Sequence, residues 1–239
     1  LSAESNRPLR VLQVIPSLSP VHGGPSAALP MIERALGSLG VEVETLTTDD
    51  DGRGRLPRAS TPIRENGVLR HYLPRTTRAY QYAAGLGRWM QHNARRFDLV
   101  HVHSVFNHVP MAATRQCRRL GIPYIVRPCG ILSAYGMGRR PLVKTLSLRL
   151  VEAPNLRAAA AIHVTSAAER ADIEALIPGP LRFAEIPLGI EAAMAGDARR
   201  WLERHPRLAA AGLRLLFLSR IDPKKNLEAL IDALALLPA

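Results

Sequence analysis

The stretch "LRVLQVIPSLSPVHGGPSAALPMIERALGSLGVEVETLTT", residues 9–48, decides the fold. Residues 9–15 form an apolar run with β-branched members, bounded by Pro16, and such a run predicts a strand buried on both faces. A polar loop follows. Leu29, Ile32, Leu36 and Leu39 then recur at helical spacing, and Gly40 supplies a stop. Pro30 must sit in the first turn of that helix or kink it, because deeper in it removes a backbone hydrogen bond. Residues 41–48 read as the next strand. Strand, loop, helix and strand in succession form the crossover unit of a parallel sheet.

The alternation continues outward from there. Residues 49–66, "DDDGRGRLPRASTPIREN", read as one long polar loop, and "GVLRHYLP" as a short strand. A helix weakened by Gly85 and Gly87 is expected over 79–97, a strand over 97–104, and a helix ending at Gly121 and Pro123. "YIVRPCG" enters another strand-to-loop junction, a helical region covers about 140–157, and "AAAIHVTS" is a strand. Ser166 and Glu169 have capping-box spacing at the start of the next helix. "LRFAEIPLGI" is a further strand, 194–211 a charged helical connector, and "LRLLFLS" at 213–219 the strand of a last strand–helix unit. In that unit Asn226 is expected as N-cap, and Leu227, Leu230, Ile231 and Leu234 give the helix its apolar face. The pattern predicts an α/β fold with a doubly wound parallel sheet. The expected divisions are a Rossmann-like domain over 1–190, a connector over 191–212, and the first unit of a second, truncated domain over 213–239.

Composition narrows the function classes. Of 239 residues 47% are hydrophobic and 22% charged, so a sizeable core is expected. No apolar run approaches the ~18–20 residues that cross a bilayer. The N-terminus lacks the apolar segment of a signal peptide. A cytoplasmic protein is expected, with peripheral contact to the inner membrane surface admitted by its charge. That charge is +12, but the basic residues are dispersed in pairs, with no basic block and no recognised nucleic-acid motif, so no nucleic-acid partner is expected. Cys117 and Cys129 match neither a zinc-knuckle nor a redox spacing and read as free thiols.

Four motifs fall where chemistry is expected, at the carboxyl ends of strands. His22-Gly23-Gly24-Pro25-Ser26 joins the first strand to the first helix, as a plain turn or as a loop whose amides approach a phosphate. His101 and His103 share one face of their strand; no third ligand stands at useful spacing, so no metal is read there. Arg127-Pro128-Cys129-Gly130 leaves another strand. A nucleophilic Cys129 would require a base and a lowered pKa, and neither is visible in sequence. Arg220 and Lys225 bracket the entrance to the last helix, and two cations with free helix amides suit a diphosphate.

These motifs, in this order, resemble the group 1 (family 4) glycosyltransferases of the GT-B fold. The resemblance rests on Gly23 and Gly24, on Asp98, Val100, His101 and His103, on Pro128 and Gly130, on "RAAAAIHVTSAAE" at 157–169, on Ile186, Pro187, Gly189 and Ile190, and on Arg220 and Lys225. Ser219 stands where the family usually has Gly, Leu188 where it has Asn, and Cys129 where relatives often have His or Arg. The family's Glu-x7-Glu donor element is missing from the sequence. The resemblance implies a retaining transferase with a UDP- or GDP-linked sugar donor and no obligate metal or other cofactor. It also implies a glycan, lipid-linked or small-molecule acceptor, and a role in polysaccharide or cell-envelope glycan synthesis. Gly23, Gly24, Arg220 and Lys225 are expected at the donor diphosphate. His103, Asn107, Arg127, Cys129 and Gly130 are expected on the acceptor side, with His103 the foremost sugar or acceptor contact. A non-catalytic glycan- or nucleotide-binding module is the alternative. The 239-residue chain looks truncated, and by itself is expected to transfer little sugar.

Overall fold

The computed structural model describes residues 7–57, 62–138, 140–189, 198–210, 214–219 and 221–236. Two compact units divide the chain, residues 1–190 and 191–239. In the first, β1 (Arg10–Ser17) passes through a 3-10 turn, Pro20–His22, into α1 (Gly24–Ser38) and β2 (Glu42–Thr48). A small hairpin of β3 (Asp50–Asp51) and β4 (Gly54–Arg55) precedes β5 (Ile63–Glu65) and β6 (Val68–Leu73). Next come α2 (Leu86–Asn93), β7 (Leu99–His103), α3 (His108–Leu120) and β8 (Tyr124–Arg127). Helices α4 (Ala134–Gly138) and α5 (Pro141–Ser147), a π-helical turn (Leu148–Glu152) and α6 (Ala153–Ala158) lead to β9 (Ala161–Val164), α7 (Ala167–Leu176) and β10 (Phe183–Glu185).

Eight strands form one sheet in the order β10-β9-β8-β7-β1-β2-β6-β5. Every pairing is parallel except β5 with β6 at the edge. The order runs out from β1 in both directions, which creates a switch point between β1 and β7, and open α/β sheets bind ligands beyond the strand ends at such points. One face is closed by an apolar core. Leu12, Val14, Val100, Val102, Val126 and Ile162 of the sheet meet Leu86 and Met90 of α2, Val109 and Ala113 of α3, Leu156 of α6 and Ile173 of α7. Side chains alternate along a strand, so Gln13, His101, His103, Arg127 and His163 point to the opposite face. Registry aligns them: Gln13 is beside His101, His103 beside Arg127, and Val126 beside Ile162, which turns Arg127 and His163 the same way. That face also carries α1, whose Glu33 accepts from Thr45 Oγ1 at 2.5 Å.

Several local expectations change. β1 continues through Pro16 to Ser17, and the register shift between Val14 and Ser17 accommodates a residue that cannot donate to the ladder. Pro30 lies in the second turn of α1, so the first-turn alternative does not hold. The 49–66 loop contains the β3–β4 hairpin and the edge strand β5. Asn66 and Gly67 turn β5 into β6 with φ of 50° and 83°, both positive as a two-residue hairpin requires. The 79–97 helix is cut back to 86–93, because Tyr80 and Gln81 take left-handed φ of 56° and 44° that no α-helix can contain. Ser166 caps α7 as expected, accepting from Glu169 N, but Glu169 spends its own carboxylate elsewhere.

The second unit contains α8 (Ala198–Glu203), α9 (Pro206–Ala209), a 3-10 turn at Pro223–Lys225 and α10 (Leu227–Ala235). Residues 214–219, expected as a strand, form none; Leu215, Leu216 and Leu218 are exposed. A strand is stabilised by its ladder, and no other strand occurs among the described residues of this unit. Asn226 precedes α10 but makes no capping bond. Its φ of 49° is left-handed, whereas a capping side chain acts from extended backbone.

Candidate functional site

The β1–α1 loop is built from small side chains that bond the backbone. Ser26 Oγ donates to Ser17 O at 2.8 Å, and Ser17 Oγ to Asp50 O at 2.5 Å. Gly23 has φ of 79° with ψ of −141°, a conformation that strains any other residue. Gly24 is less constrained: a Cβ there would meet nothing within 4 Å. Asp50, buried behind the loop, pairs with Arg75, accepts from Gln81 Nε2 at 2.5 Å, and lies 3.3 Å from His22 Nε2. A glycine turn is thereby held firmly at the end of β1 with open space before Gly24.

The ends of β7, β8 and β9 carry the second part. His103 is fully buried, and its Nε2 meets Gln13 Oε1 at 2.7 Å. His101 Nε2 meets His163 Nδ1 at 3.3 Å, and His163 Nε2 meets Ile186 O at 3.0 Å. Burial holds all three imidazoles neutral. His101 is pushed down to about 3 by desolvation and then by His163 and Arg127; His103 falls well below its ordinary value for the same first reason, and His163 is lowered by burial. Arg127 is only 3% exposed, yet its Nε and Nη1 make no hydrogen bond. His103 Nδ1 and Gln13 Nε2 are likewise sealed and unpartnered.

After β7 the chain turns sharply, with positive φ at Ser104 (78°) and Phe106 (59°). Glu152, from the π-helical turn, accepts from Phe106 N at 3.0 Å and holds that turn. Asn107 is the N-cap of α3, its Oδ1 accepting from Val109 N at 3.0 Å, so that oxygen is engaged in the fold. After β8, Cys129 and Gly130 take φ of 60° and 69°. Glu169 pins this loop across to β9: its carboxylate accepts from Gly130 N at 2.7 Å, Thr165 N at 2.8 Å and Thr165 Oγ1 at 2.9 Å. Burial raises the Cys129 thiol, the wrong direction for a nucleophile.

Of the expected residues, then, His103, Asn107, Arg127, Cys129 and Gly130 gather at the ends of β7 and β8, and Gly23 and Gly24 stand at the end of β1. Lys225 belongs to the second unit, where its backbone N donates to Asp222 O at 2.8 Å. Arg220 lies outside the described residues. Four contributors escape sequence reasoning: Gln13, Glu152, His163 and Glu169. Gln13 had a signal, a polar residue inside an apolar strand. His163 had a weaker one of the same kind.

Residues 23–189 match the family model of the glycosyl transferase 4-like domain. No curated protein matches the chain. Among solved structures, sucrose-phosphate synthase from Thermosynechococcus elongatus is similar at 18% identity with a TM-score of 0.64, over 96% of this chain and 60% of that one. Anabaena HepE in complex with UDP and glucose is similar at 17% identity with a TM-score of 0.65, over 96% of this chain and 58% of that one. The chain thus spans about three fifths of the length of these proteins. Their likeness identifies the sheet as the Rossmann-like domain of a GT-B fold, and with 70% of its own length covered by the family model, the chain belongs to the glycosyl transferase 4-like family.

Proposed function

We propose that this chain provides the acceptor-side half of a retaining glycosyltransferase. Its donor is a nucleotide-sugar, UDP- or GDP-linked, and its acceptor a glycan, a lipid-linked sugar or a small molecule in polysaccharide or cell-envelope synthesis. The observation that carries the reading is the convergence of a glycine turn and two buried polar strand ends at a switch point of a glycosyltransferase-family sheet. HepE, of the same fold, was captured with UDP and glucose, which favours a uridine-linked donor.

In this reading Gly23 and Gly24 approach the donor diphosphate, and Arg220, Lys225 and the amides at the start of α10 stabilise it as it leaves. Preorganised charge of this kind usually dominates such transfers. No metal is required by that arrangement. His103 is the sugar or acceptor contact, supported by its unpartnered Nδ1, and Arg127, Cys129 and Gly130 shape the acceptor side. The protein acts in the cytoplasm against the membrane surface. No helix among the described residues is long and apolar enough to cross a bilayer, while Leu142, Val143, Leu146 and Leu150 are exposed along α5 and the π-helical turn.

The test is transfer from radiolabelled UDP-glucose and GDP-mannose by the protein as the cell makes it, with the anomeric configuration of the product read by NMR. Retention is expected, and His103→Ala should lower turnover by roughly 10²-fold. Inversion at the anomeric carbon would end the retaining assignment. Full activity in His103→Ala would end the role given to that residue.

A further inference from the structure

The three most buried arginines of the first unit are treated differently by their surroundings. Arg70 pairs with Glu33 and Glu65, and Arg75 with Asp50. Arg127 is buried more deeply than either, at 3% against 6% and 5%, and has no ion pair or hydrogen bond from its guanidinium among the described residues. A buried, uncompensated charge is costly by several kcal/mol in effective terms. Its neighbours give it no ion pair. His101, His103 and His163 are neutral imidazoles held so by burial. Glu169 is near enough to act on His163 and Cys129, but its oxygens are occupied by Gly130 and Thr165. Further unpartnered groups share this face of the sheet: Gln13 Nε2, a donor, and His103 Nδ1. A lone cation at the end of a central strand, with an unmet donor on the same face of the sheet, describes half of an interaction.

We propose that Arg127 is the receptor for an anionic oxygen group, carboxylate or phosphate, carried by the acceptor, with Gln13 and His103 bordering it. The proposal rests on the acceptor-side reading above and deepens it: the acceptor is an acidic sugar or a phosphorylated one. A guanidinium is suited to the task because its donors match the oxygens of either group, and in a water-poor setting the pairing is strong. The missing ion pair supplies the selectivity, since a neutral acceptor would leave Arg127 unpaired.

Thermal unfolding of the 239-residue chain tests it, with inorganic phosphate and with glucuronate, each against chloride at matched ionic strength. Wild type should rise by about 3–5 °C at tenfold over Kd with at least one of them. A response to phosphate alone assigns a phosphorylated acceptor, and a response to glucuronate alone an acidic sugar. Arg127→Met should unfold at the same or a higher temperature without anion, because an uncompensated charge is gone, and should lose the response. Arg127→Lys keeps the charge and should retain a weakened response, which serves if the Met variant does not fold. No rise in wild type with either anion overturns the proposal. So does a full response in Arg127→Met or a full loss of stability in both variants. None of these readouts needs sugar transfer, so an anion site that stands beside a failed transfer assay sinks the enzymatic reading alone.

Discussion

Glu152 is a carboxylic acid kept from ionising. Burial raises its pKa from 4.5 to about 7, opposed by the hydrogen bond from Phe106 N. A raised carboxyl pKa means that the native state holds a proton the unfolded chain has released. The contribution to stability is therefore complete below pH 4.5 and is lost as pH rises through about 7, by up to about 3 kcal/mol. The buried histidines work in the other direction. His101, pushed down to about 3, stays neutral while the unfolded chain takes up a proton, so its contribution is complete above 6.5 and is lost as pH falls toward 3. With His103 and His163 lowered as well, the imidazoles together outweigh Glu152, so stability should rise from pH 5 and level off at about pH 7. Urea unfolding across pH 5–8 checks this. Wild type should gain stability up to about pH 7, and Glu152→Gln, freed of the opposing carboxyl, should gain it more steeply between pH 5 and 7. A rise of equal steepness in Glu152→Gln would show that Glu152 is not the opposing group.

At the scale of elements, two junctions decide how firmly the strand ends are set. Gly67 takes φ of 83° in the hairpin between β5 and β6, and there Gly67→Ala should cost about 1 kcal/mol or more in chemical unfolding, without change in far-ultraviolet dichroism. Glu169 joins the end of β9 to the loop after β8. Removing its carboxylate leaves Gly130 N and Thr165 N without partners, so Glu169→Ala should cost about 1–3 kcal/mol, and hydrogen exchange should quicken at Gly130. An unchanged exchange rate at Gly130 would mean that the loop is held by other means. These junctions also mark what was legible beforehand. The order strand, helix, strand was readable because apolar runs and helical spacing are local properties. The motif positions followed, since each lies just past an apolar run. The edge strand β5 was hidden because Ile63-Arg64-Glu65 has one apolar residue, although Asn66-Gly67 is a strong hairpin signal. Glu169 was legible as a capping residue but not as a tie to a loop 39 positions away. Gln13, His103 and Arg127 share one face of the sheet only through the order of β1, β7 and β8, which no local pattern encodes.

At the scale of the whole molecule, charge and exposed apolar surface coincide. The chain carries +12, and between residues 131 and 158 the basic residues Arg139, Arg140, Lys144, Arg149 and Arg157 face one acid, Glu152, which is buried. In the same stretch Leu142 is 86% exposed, Val143 68%, Leu146 60% and Leu150 68%. On a helix, residues 142, 146 and 150 fall on one stripe, so these side chains can enter an interface together while the arginines beside them meet anionic headgroups. Full burial of one leucine contributes about 1.5–3 kcal/mol, so exchanging two for glutamate should lower partitioning by at least about tenfold. Co-sedimentation with phosphatidylcholine vesicles, with and without phosphatidylglycerol, measures it. Wild type should pellet with the anionic vesicles and release in raised salt, because exposed charge is screened there. The Leu142→Glu, Leu146→Glu double variant should stay in the supernatant. If that variant pelleted like wild type, the charge alone would be responsible, and α5 would not be the docking element. If neither pelleted with anionic vesicles, the acceptor would have to reach the strand ends from solution, and a lipid-linked acceptor would lose its main structural support.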